Sequence, residues 1–285
     1  MLWDKSRRSD NVLEDSGGGS RIGGLHLGGG GIILVIIISL IMGKNPLQIL
    51  GLLSQVGGGM ETVPSEQKEA DAKDPQVDFV RAVVGSTEDV WNARFKEEGY
   101  EPPKMMLFHQ QVQSACGTAS AAMGPFYCPN DRKVYLDLTF FQEMDTRFHA
   151  QGDFARAYVI AHEVGHHVQN ALGTFEAVQK QRQRGAEMEG AEGLSVRQEL
   201  QADCYAGVWA NLAQQQLQWL QPGDVEAALN AASSVGDDRL QQQTQGAVVP
   251  DSFTHGTSAQ RARWFKAGFS SGSLEQCDTF RARQL

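Results

Sequence analysis

The sequence predicts an α+β fold, in which a mainly helical domain with a small antiparallel sheet is preceded by one transmembrane helix. Patterns with helical spacing outnumber patterns typical of β-strands. The two β-rich runs come before the main pair of helices, and this grouping favours α+β over an alternating α/β arrangement. An almost wholly apolar run at 32–42 predicts the transmembrane helix.

Composition excludes several classes of protein. The chain has 285 residues, enough for one or two domains. Its 41% apolar and 21% charged residues exclude wholesale disorder and a fibrous fold. The net charge of −9 repels phosphate backbones, so we expect no nucleic-acid partner.

The first 24 residues are polar and glycine-rich, and we predict a disordered tail there. The apolar core at 32–42 alone would span about 16 Å, which is too short for a bilayer, whereas a helix over 25–43 reaches about 28 Å. Two alternatives compete with a membrane span. A signal peptide should be followed by a small-x-small cleavage site, and none is convincing. A buried core helix should have a polar face, and this segment has none.

The charges around this segment predict its orientation. Four basic residues precede it, and only Lys44 follows closely. The positive-inside rule then places the amino terminus in the cytoplasm and the main domain outside. We therefore expect a single-pass protein of the cell membrane with a periplasmic or extracellular domain. Residues 44–74 are predicted to be a linker, and the folded domain is predicted at 75–285.

The first half of the domain is predicted to hold two short helices and two strands. Apolar spacing favours helices at 77–84 and 90–95, with Thr87 to Asp89 opening the second. Runs of β-formers at 105–112 and 134–141 predict strands.

The second half is predicted to be helical. A helix at 154–172 has Asp153 as its cap and Gly173 as its stop. After a poorly patterned stretch at 174–193, a capping box that starts at Ser195 opens a helix to about residue 218. Further helices are predicted at 224–235 and, after a capping box at Thr257, to about residue 269.

The helix predicted at 154–172 contains an H-E-x-x-H motif that predicts a zinc site. His162 and His166 lie one turn apart on one face, so both imidazoles can bind one Zn²⁺. Glu163 lies beside the metal rather than on it and can act as general base. His167 points about 100° away from His166, so we do not expect it to be a ligand. The alternative is a pair of surface histidines, but the helix is too apolar for that.

A catalytic zinc needs a third protein ligand and an open position for water. Glu199 is the predicted third ligand, 33 residues after His166. Asp203 lies one turn further along the same helix, where it can accept a hydrogen bond from the Nδ1 of a ligand histidine. On this prediction, Asp203→Asn weakens zinc binding and leaves the fold intact. A solvated surface pair is the alternative, and the apolar sequence that follows argues against it.

The chain resembles the bacterial family of putative neutral zinc metallopeptidases, which are membrane-anchored proteins of this size. The resemblance covers nearly the whole chain and implies a zincin-like fold, a Zn²⁺ cofactor and a peptide or protein substrate. It rests on these segments: S114-A-C-G, G124-P-F-Y-C-P, V134-Y-L-D, the H-E-x-x-H-H run from His162, E199-L-Q-A-D, and T254-H-G-T-S with Arg261.

Within this resemblance, Glu163 takes the proton of a metal-activated water and passes it to the leaving amine. Zincin-like folds usually hold substrate as an extra strand, and residues 134–138 could offer that sheet edge. His255 is the best candidate to stabilise the developing oxyanion, followed by Arg261 or Tyr205. His255 could equally be a capping or packing residue.

Two functions remain open besides a zinc peptidase. One is a noncatalytic, membrane-anchored zinc-binding protein, and the other is metal-dependent hydrolysis of a non-peptide bond. A structural zinc would need a fourth protein ligand, and the sequence offers no obvious one.

The four cysteines predict two disulfides. An even count on the outer side of a membrane favours pairing. Cys116 and Cys128 would close a short loop, which leaves Cys204 and Cys277 as the second pair. Buried free thiols remain an alternative, as does a second metal site for the first pair.

Overall fold

A five-stranded mixed sheet and a group of eight helices make up the part of the chain that the computed structural model describes, residues 1–15 and 67–285. The strand order in the sheet is β2-β1-β3-β7-β6, and β4 and β5 form a separate hairpin. The strands are β1 (Val12–Asp15), β2 (Gln67–Glu69), β3 (Lys104–Phe108), β4 (Gln111–Ser114), β5 (Gly117–Ser120), β6 (Phe126–Cys128) and β7 (Lys133–Asp137).

The helices follow mainly in the second half of the chain, as predicted. They are α1 (Pro75–Arg94), α2 (Thr139–Thr146), α3 (Asp153–Ala171), α4 (Thr174–Gln183), α5 (Leu194–Leu217), α6 (Asp224–Ser234), α7 (Asp237–Gln245) and α8 (Ser258–Ser271). The mixed α and β content is confirmed. Helix α4 lies in the stretch 174–193, for which no helix was predicted. It is largely exposed and buries only Val178, so its sequence has no apolar pattern.

The sheet was predicted to be antiparallel, but it is mixed. Strand β3 pairs in parallel with both β1 and β7, and the two outer pairs, β1–β2 and β6–β7, are antiparallel. Helix α1 connects β2 to β3, and these two strands run in opposite directions, because β2 is antiparallel and β3 parallel to β1. The parallel pairs therefore join strands that are not consecutive in the chain. The sequence pattern showed the β-rich runs but not their partners.

The amino-terminal segment 1–15 is part of the domain, so the predicted disordered tail is wrong for these residues. Strand β1 lies between β2 and β3. Ahead of it, Arg7, Ser9 and Asn11 all donate hydrogen bonds to the carboxylate of Glu88 on α1, at 2.5–2.6 Å. The segment looked disordered because its stability comes from strand pairing and a buried carboxylate rather than from apolar periodicity.

Helix α1 is continuous where two helices were predicted. Glu88, expected near the start of the second helix, is 4% exposed and binds the amino-terminal segment instead. At Gly85 the two segments approach so closely that an added Cβ would lie 2.4 Å from the carbonyl oxygen of Arg7. The missing side chain is therefore a requirement of this packing.

The predicted linker 44–74 ends earlier than expected. Its last residues contain strand β2, and Asp74 caps α1 by accepting a hydrogen bond from the backbone N–H of Gln76 at 2.7 Å. The rest of the predicted linker, the end of the predicted tail and the predicted transmembrane helix at 25–43 lie outside the described residues.

Within residues 1–15 and 67–285, no helix is both long enough and apolar enough to cross a membrane. This finding corrects the expected localisation as a single-pass protein of the cell membrane.

Each face of the sheet is covered. Met105 and Leu107 point into the main core, which they share with the helices, and Met106 and Phe108 point into a smaller core under the β4–β5 hairpin. This alternation follows from the period of two in a strand. The C-terminal part of the predicted strand at 134–141 is instead the start of α2.

Helices α5 and α8 lie in backbone contact. A Cβ at Gly207 would meet the carbonyl oxygen of Phe265 at 2.1 Å, so only glycine fits there. Thr257 caps α8 in the predicted capping box with Gln260. The other predicted capping box, at Ser195, does not form, because α5 begins two residues earlier than predicted, with Gly193 at its cap position.

Both predicted disulfides are confirmed. Cys116–Cys128 joins the turn of the β4–β5 hairpin to the end of β6. Cys204–Cys277 joins α5 to the C-terminal segment of the chain.

We expect Glu88→Ala to lower the free energy of unfolding by about 2–4 kcal/mol, because three donors lose a buried acceptor. Chemical denaturation of the full chain measures this. Asp89→Ala is the matched control, since Asp89 also binds Arg7 but is 46% exposed. We expect it to cost less than about 1 kcal/mol. Equal, small effects of the two substitutions would contradict the buried role of Glu88.

Candidate metal centre

Helix α3 carries both histidines of the H-E-x-x-H motif on its buried face. The rings of His162 and His166 lie 4.8 Å apart, centroid to centroid, and are nearly perpendicular. Gly165, between them, faces α5, where an added Cβ would lie 2.9 Å from the carbonyl oxygen of Ala202. The glycine of the motif therefore lets the two helices approach closely at the level of the histidines.

This close approach brings Glu199 on α5 to the two histidines. Its Oε2 lies 3.2 Å from Nε2 of His162, and its Oε1 lies 3.3 Å from Nε2 of His166. One ligand atom from each residue lies within 4.8 Å of the other two. Two imidazole nitrogens and a carboxylate are the donor set of many catalytic zinc sites, so these three residues could hold Zn²⁺.

The electrostatics of this cluster favour positive charge. Burial alone would lower the pKa of His162, but the carboxylates of Asp203 and Glu199 raise it to about 10. The pKa of His166 is also raised, because the charge of Glu199 outweighs burial. A site that attracts protons to two adjacent histidines also attracts a metal cation between them.

Asp203 fixes the orientation of His162. Its Oδ1 lies 2.8 Å from Nδ1 of His162, which leaves Nε2 of the same ring facing Glu199. Asp203 is completely buried, and Arg261 on α8 donates to both of its oxygens, at 2.9 and 3.0 Å. Burial would raise the pKa of Asp203, but the charges of Arg261 and His162 lower it to about 2. The aspartate is therefore ionised.

Two residues around Asp203 were missed or assigned differently by sequence reasoning. Tyr158, one turn before His162, donates to Asp203 and accepts from Arg261 at 3.2 Å. No signal in the sequence marks this tyrosine. Arg261 was predicted as an alternative donor to the oxyanion. It is only 4% exposed, and its guanidinium binds Asp203 and Tyr158 instead. Tyr205, the other alternative, is buried against the ring of Trp91.

His166 also has a partner that the sequence analysis missed. Its Nδ1 lies 2.8 Å from Oε1 of Gln169, three residues further along α3. The i, i+3 spacing after the motif was a usable signal, because residues at that spacing share a helix face. Each predicted ligand histidine thus has its Nδ1 engaged and its Nε2 directed at Glu199.

A cavity of about 580 Å³ opens on this cluster. Glu163 lines it together with the three candidate ligands and is only 8% exposed. Burial raises the pKa of Glu163, partly opposed by the neighbouring histidines. A buried carboxyl group with a raised pKa beside a candidate cation site is typical of residues that exchange protons in catalysis.

His255 lies on the same cavity, in the loop before α8. Oδ2 of Asp237 accepts hydrogen bonds from the backbone N–H groups of Thr254, His255 and Gly256, at 2.6–3.0 Å. The Oδ1 of Asp237 lies 3.4 Å from Nδ1 of His255. The hydrogen bond to Asp237 and the charge of Glu199 raise the pKa of His255.

The loop geometry argues against a capping or packing role for His255. Thr257 provides the cap of α8, and the side chain of His255 is 51% exposed, so it neither caps the helix nor packs in the core. Sequence reasoning missed Asp237, which lies 18 residues before His255 and has no motif around it.

His167 faces away from the cluster. Its Nδ1 lies 3.1 Å from the hydroxyl of Tyr127, and its Nε2 lies 2.8 Å from the carbonyl oxygen of Glu101. Burial lowers the pKa of His167 to about 4. Both ring nitrogens are engaged elsewhere, in agreement with the prediction that this histidine is not a ligand.

Comparison with known proteins gives matches over the length of this chain. A family model described as putative neutral zinc metallopeptidase matches residues 1–280. The chain is 47% identical over 288 residues to the uncharacterized protein YpfJ of Escherichia coli K12, with 98% of this chain and 99% of that protein covered. It is 48% identical over 216 residues to the uncharacterized protein Rv2575 of Mycobacterium tuberculosis H37Rv, with 72% and 71% covered. No solved structure matches.

We expect Asp203→Asn to affect the fold as well as the metal, which revises the expectation from sequence. The substitution leaves the buried charge of Arg261 without its partner, so it should cost about 3–5 kcal/mol in the zinc-free protein. Loss of the carboxylate on His162 should weaken zinc binding by about 10–100-fold. Denaturation and competition with a chelator measure the two effects.

The double variant Asp203→Asn/Arg261→Met separates these effects. Removing the uncompensated guanidinium should recover part of the stability, while zinc binding should stay weak because the carboxylate is still absent. Wild-type stability of the single variant would contradict the buried ion pair, and wild-type zinc affinity would contradict the role of Asp203 toward His162.

Proposed function

Because the chain belongs to the family of putative neutral zinc metallopeptidases, we propose that it hydrolyses peptide bonds, with zinc as its cofactor and Glu163 as general base. The observation that carries this proposal is the position of Glu163. Its carboxyl group is buried on the same cavity wall as a His, His, Glu cluster that could hold the metal. A general base must lie within reach of the reacting water and have a suitable pKa.

The proposed zinc ligands are His162, His166 and Glu199. When bound at such a site, zinc acts as a Lewis acid that activates water and polarises a carbonyl oxygen. Asp203 and Gln169 hold the two imidazoles with Nε2 directed at the metal position. In the neutral rings that would bind zinc, these contacts hold the proton on Nδ1 and leave Nε2 for the metal, which is the usual effect of such outer contacts.

The cavity supports a catalytic site over the noncatalytic alternative. A structural zinc site is closed by a fourth protein ligand. Within residues 1–15 and 67–285 the candidate cluster contains three ligand residues, and all three line the cavity. A buried acidic residue beside the cluster, Glu163, would have no task in a closed structural site.

Glu163 carries the proton in the proposed reaction. Its carboxylate accepts a proton from the water that attacks the peptide carbonyl carbon. As the C–N bond breaks, the same group gives this proton to the nitrogen, so that the product leaves as a neutral amine. The raised pKa of Glu163 favours the first transfer, because a more basic carboxylate accepts a proton more readily.

His255 is the proposed donor to the carbonyl oxygen as negative charge develops there. Asp237 fixes the backbone of residues 254–256, and its carboxylate favours the protonated, donating form of the imidazole. A donor that is fixed before the reaction stabilises such a charge more than a mobile one.

The proposed peptide binds along strand β6. Residues 134–138 were expected to offer the sheet edge, but β7 lies between β3 and β6 and is paired on both sides. Strand β6 ends the strand order of the described sheet, and the residues leading into it, 122–127, line the cavity. An extended peptide that adds to this edge would pass beside the metal cluster.

Metal content and turnover distinguish the two glutamates of the site. We expect Glu199→Ala to lose zinc, because it removes a ligand, and Glu163→Gln to keep zinc but lose at least about 100-fold in turnover. Elemental analysis gives the zinc content. Cleavage of a diverse peptide mixture, with the new termini identified by mass spectrometry, gives the activity.

Chelator-treated wild-type protein is the control for metal dependence, and added zinc should restore its activity. Full zinc content in Glu199→Ala would contradict the ligand assignment. Wild-type turnover in Glu163→Gln would contradict the general base, and undiminished cleavage after complete zinc removal would contradict the proposed function.

We expect His255→Ala to lower kcat by about 100-fold with little change in KM, since the lost hydrogen bond forms mainly in the transition state. Zinc content should stay at the wild-type level. His109→Ala is the control, because His109 is an exposed histidine that contacts Glu14 and does not line the cavity. A larger change in KM than in kcat would instead indicate a role in substrate binding.

A further inference from the structure

One completely buried side chain contacts both helices that carry the candidate zinc ligands. Gln169 on α3 has its Oε1 2.8 Å from Nδ1 of His166. Its Nε2 donates to the backbone carbonyl oxygen of Gln198 on α5 at 2.7 Å and to Oε1 of Gln201 at 3.0 Å. Gln198 directly precedes Glu199, so Gln169 links the surroundings of two ligands.

The direction of these hydrogen bonds is determined by the backbone. A backbone carbonyl oxygen can only accept, so the NH₂ group of Gln169 must face Gln198. Its carbonyl oxygen then faces His166 and requires a proton on Nδ1 of that ring. In the neutral ring that would bind a metal, Nε2 of His166 is then the nitrogen without a proton, and it is directed at the metal position.

A second carbonyl reinforces this direction. Nε2 of Gln201 donates to the backbone carbonyl oxygen of Cys277 at 3.1 Å, which leaves Oε1 of Gln201 to accept from Gln169. Cys277 is bound to Cys204 on α5 by the second disulfide. The chain of amides therefore begins at a covalently fixed carbonyl and ends at a proposed zinc ligand.

We infer that Gln169 is a positioning residue of the proposed zinc site. It fixes the tautomer of His166 and the distance between His166 and Glu199, and Gln201 holds the side-chain amide of Gln169 in its orientation. The inference rests on the proposed function, because it assumes that His166 and Glu199 bind zinc. Without the acceptor on Nδ1, the ring of His166 can turn, and without the donor to Gln198 the two helices lose a hydrogen bond beside Glu199.

Zinc affinity tests this inference without any substrate. Gln169→Met keeps nearly the same volume and removes both the acceptor and the donors. We expect its dissociation constant for zinc, measured by chelator competition, to rise by about 10–100-fold. Gln201→Met should raise it only a few-fold, because Gln169 keeps the carbonyl of Gln198. The absorption spectrum of the cobalt-loaded protein should change in Gln169→Met, since the geometry around the metal changes.

Ser86→Ala is the matched control for loss of a buried hydrogen bond elsewhere in the core. Ser86 accepts from Nε1 of Trp209 at 3.2 Å and is 2% exposed. This variant should lose stability in the zinc-free protein but keep wild-type zinc affinity and the wild-type cobalt spectrum. If Gln169→Met does not fold, the few-fold change in Gln201→Met carries the test.

The outcomes separate this inference from the proposed function. Wild-type zinc affinity in Gln169→Met, or in Gln201→Met where only that variant folds, overturns the inference alone. An equal loss of affinity in Ser86→Ala also overturns it, because the effect would then follow from general destabilisation. A wild-type protein that binds no zinc contradicts both.

Discussion

The buried pair of Asp203 and Arg261 is the interaction on which the arrangement of the site depends. Asp203 lies on α5 and Arg261 on α8, and their contacts to Tyr158 and His162 extend to α3. Three helices thus meet at one carboxylate. An isolated charge at this depth would be strongly unfavourable, so the helices must stay in the geometry in which both charges are compensated.

Close backbone contact makes this ion pair possible. Glycines at 165, 207 and 268 leave no room for a Cβ where α5 meets α3 and α8. The Cys204–Cys277 disulfide also fixes α5, one residue after Asp203. Helix α5 therefore carries close-packed positions, a disulfide cysteine and the proposed zinc ligand Glu199 within a few turns.

The two histidines of the motif have different outer partners. His162 faces an ionised aspartate that a guanidinium compensates, whereas His166 faces the neutral amide of Gln169. A carboxylate on one imidazole increases its basicity more than an amide does on the other. The two proposed ligands are consequently not equivalent, although the H-E-x-x-H motif presents them as a symmetric pair.

The sequence alone determined the H-E-x-x-H motif and the helices α3, α5, α6 and α8, because these follow from residue type and helical spacing, and it favoured the observed disulfide pairing over free thiols. It also placed Glu199 and Asp203 on one helix face. Only the tertiary structure decided the direction of the strands, the place of residues 1–15 in the sheet and the roles of Glu88, Gln169, Asp237 and Arg261. Each of these depends on a partner on another segment of the chain, and periodicity within one segment contains no information about such a partner.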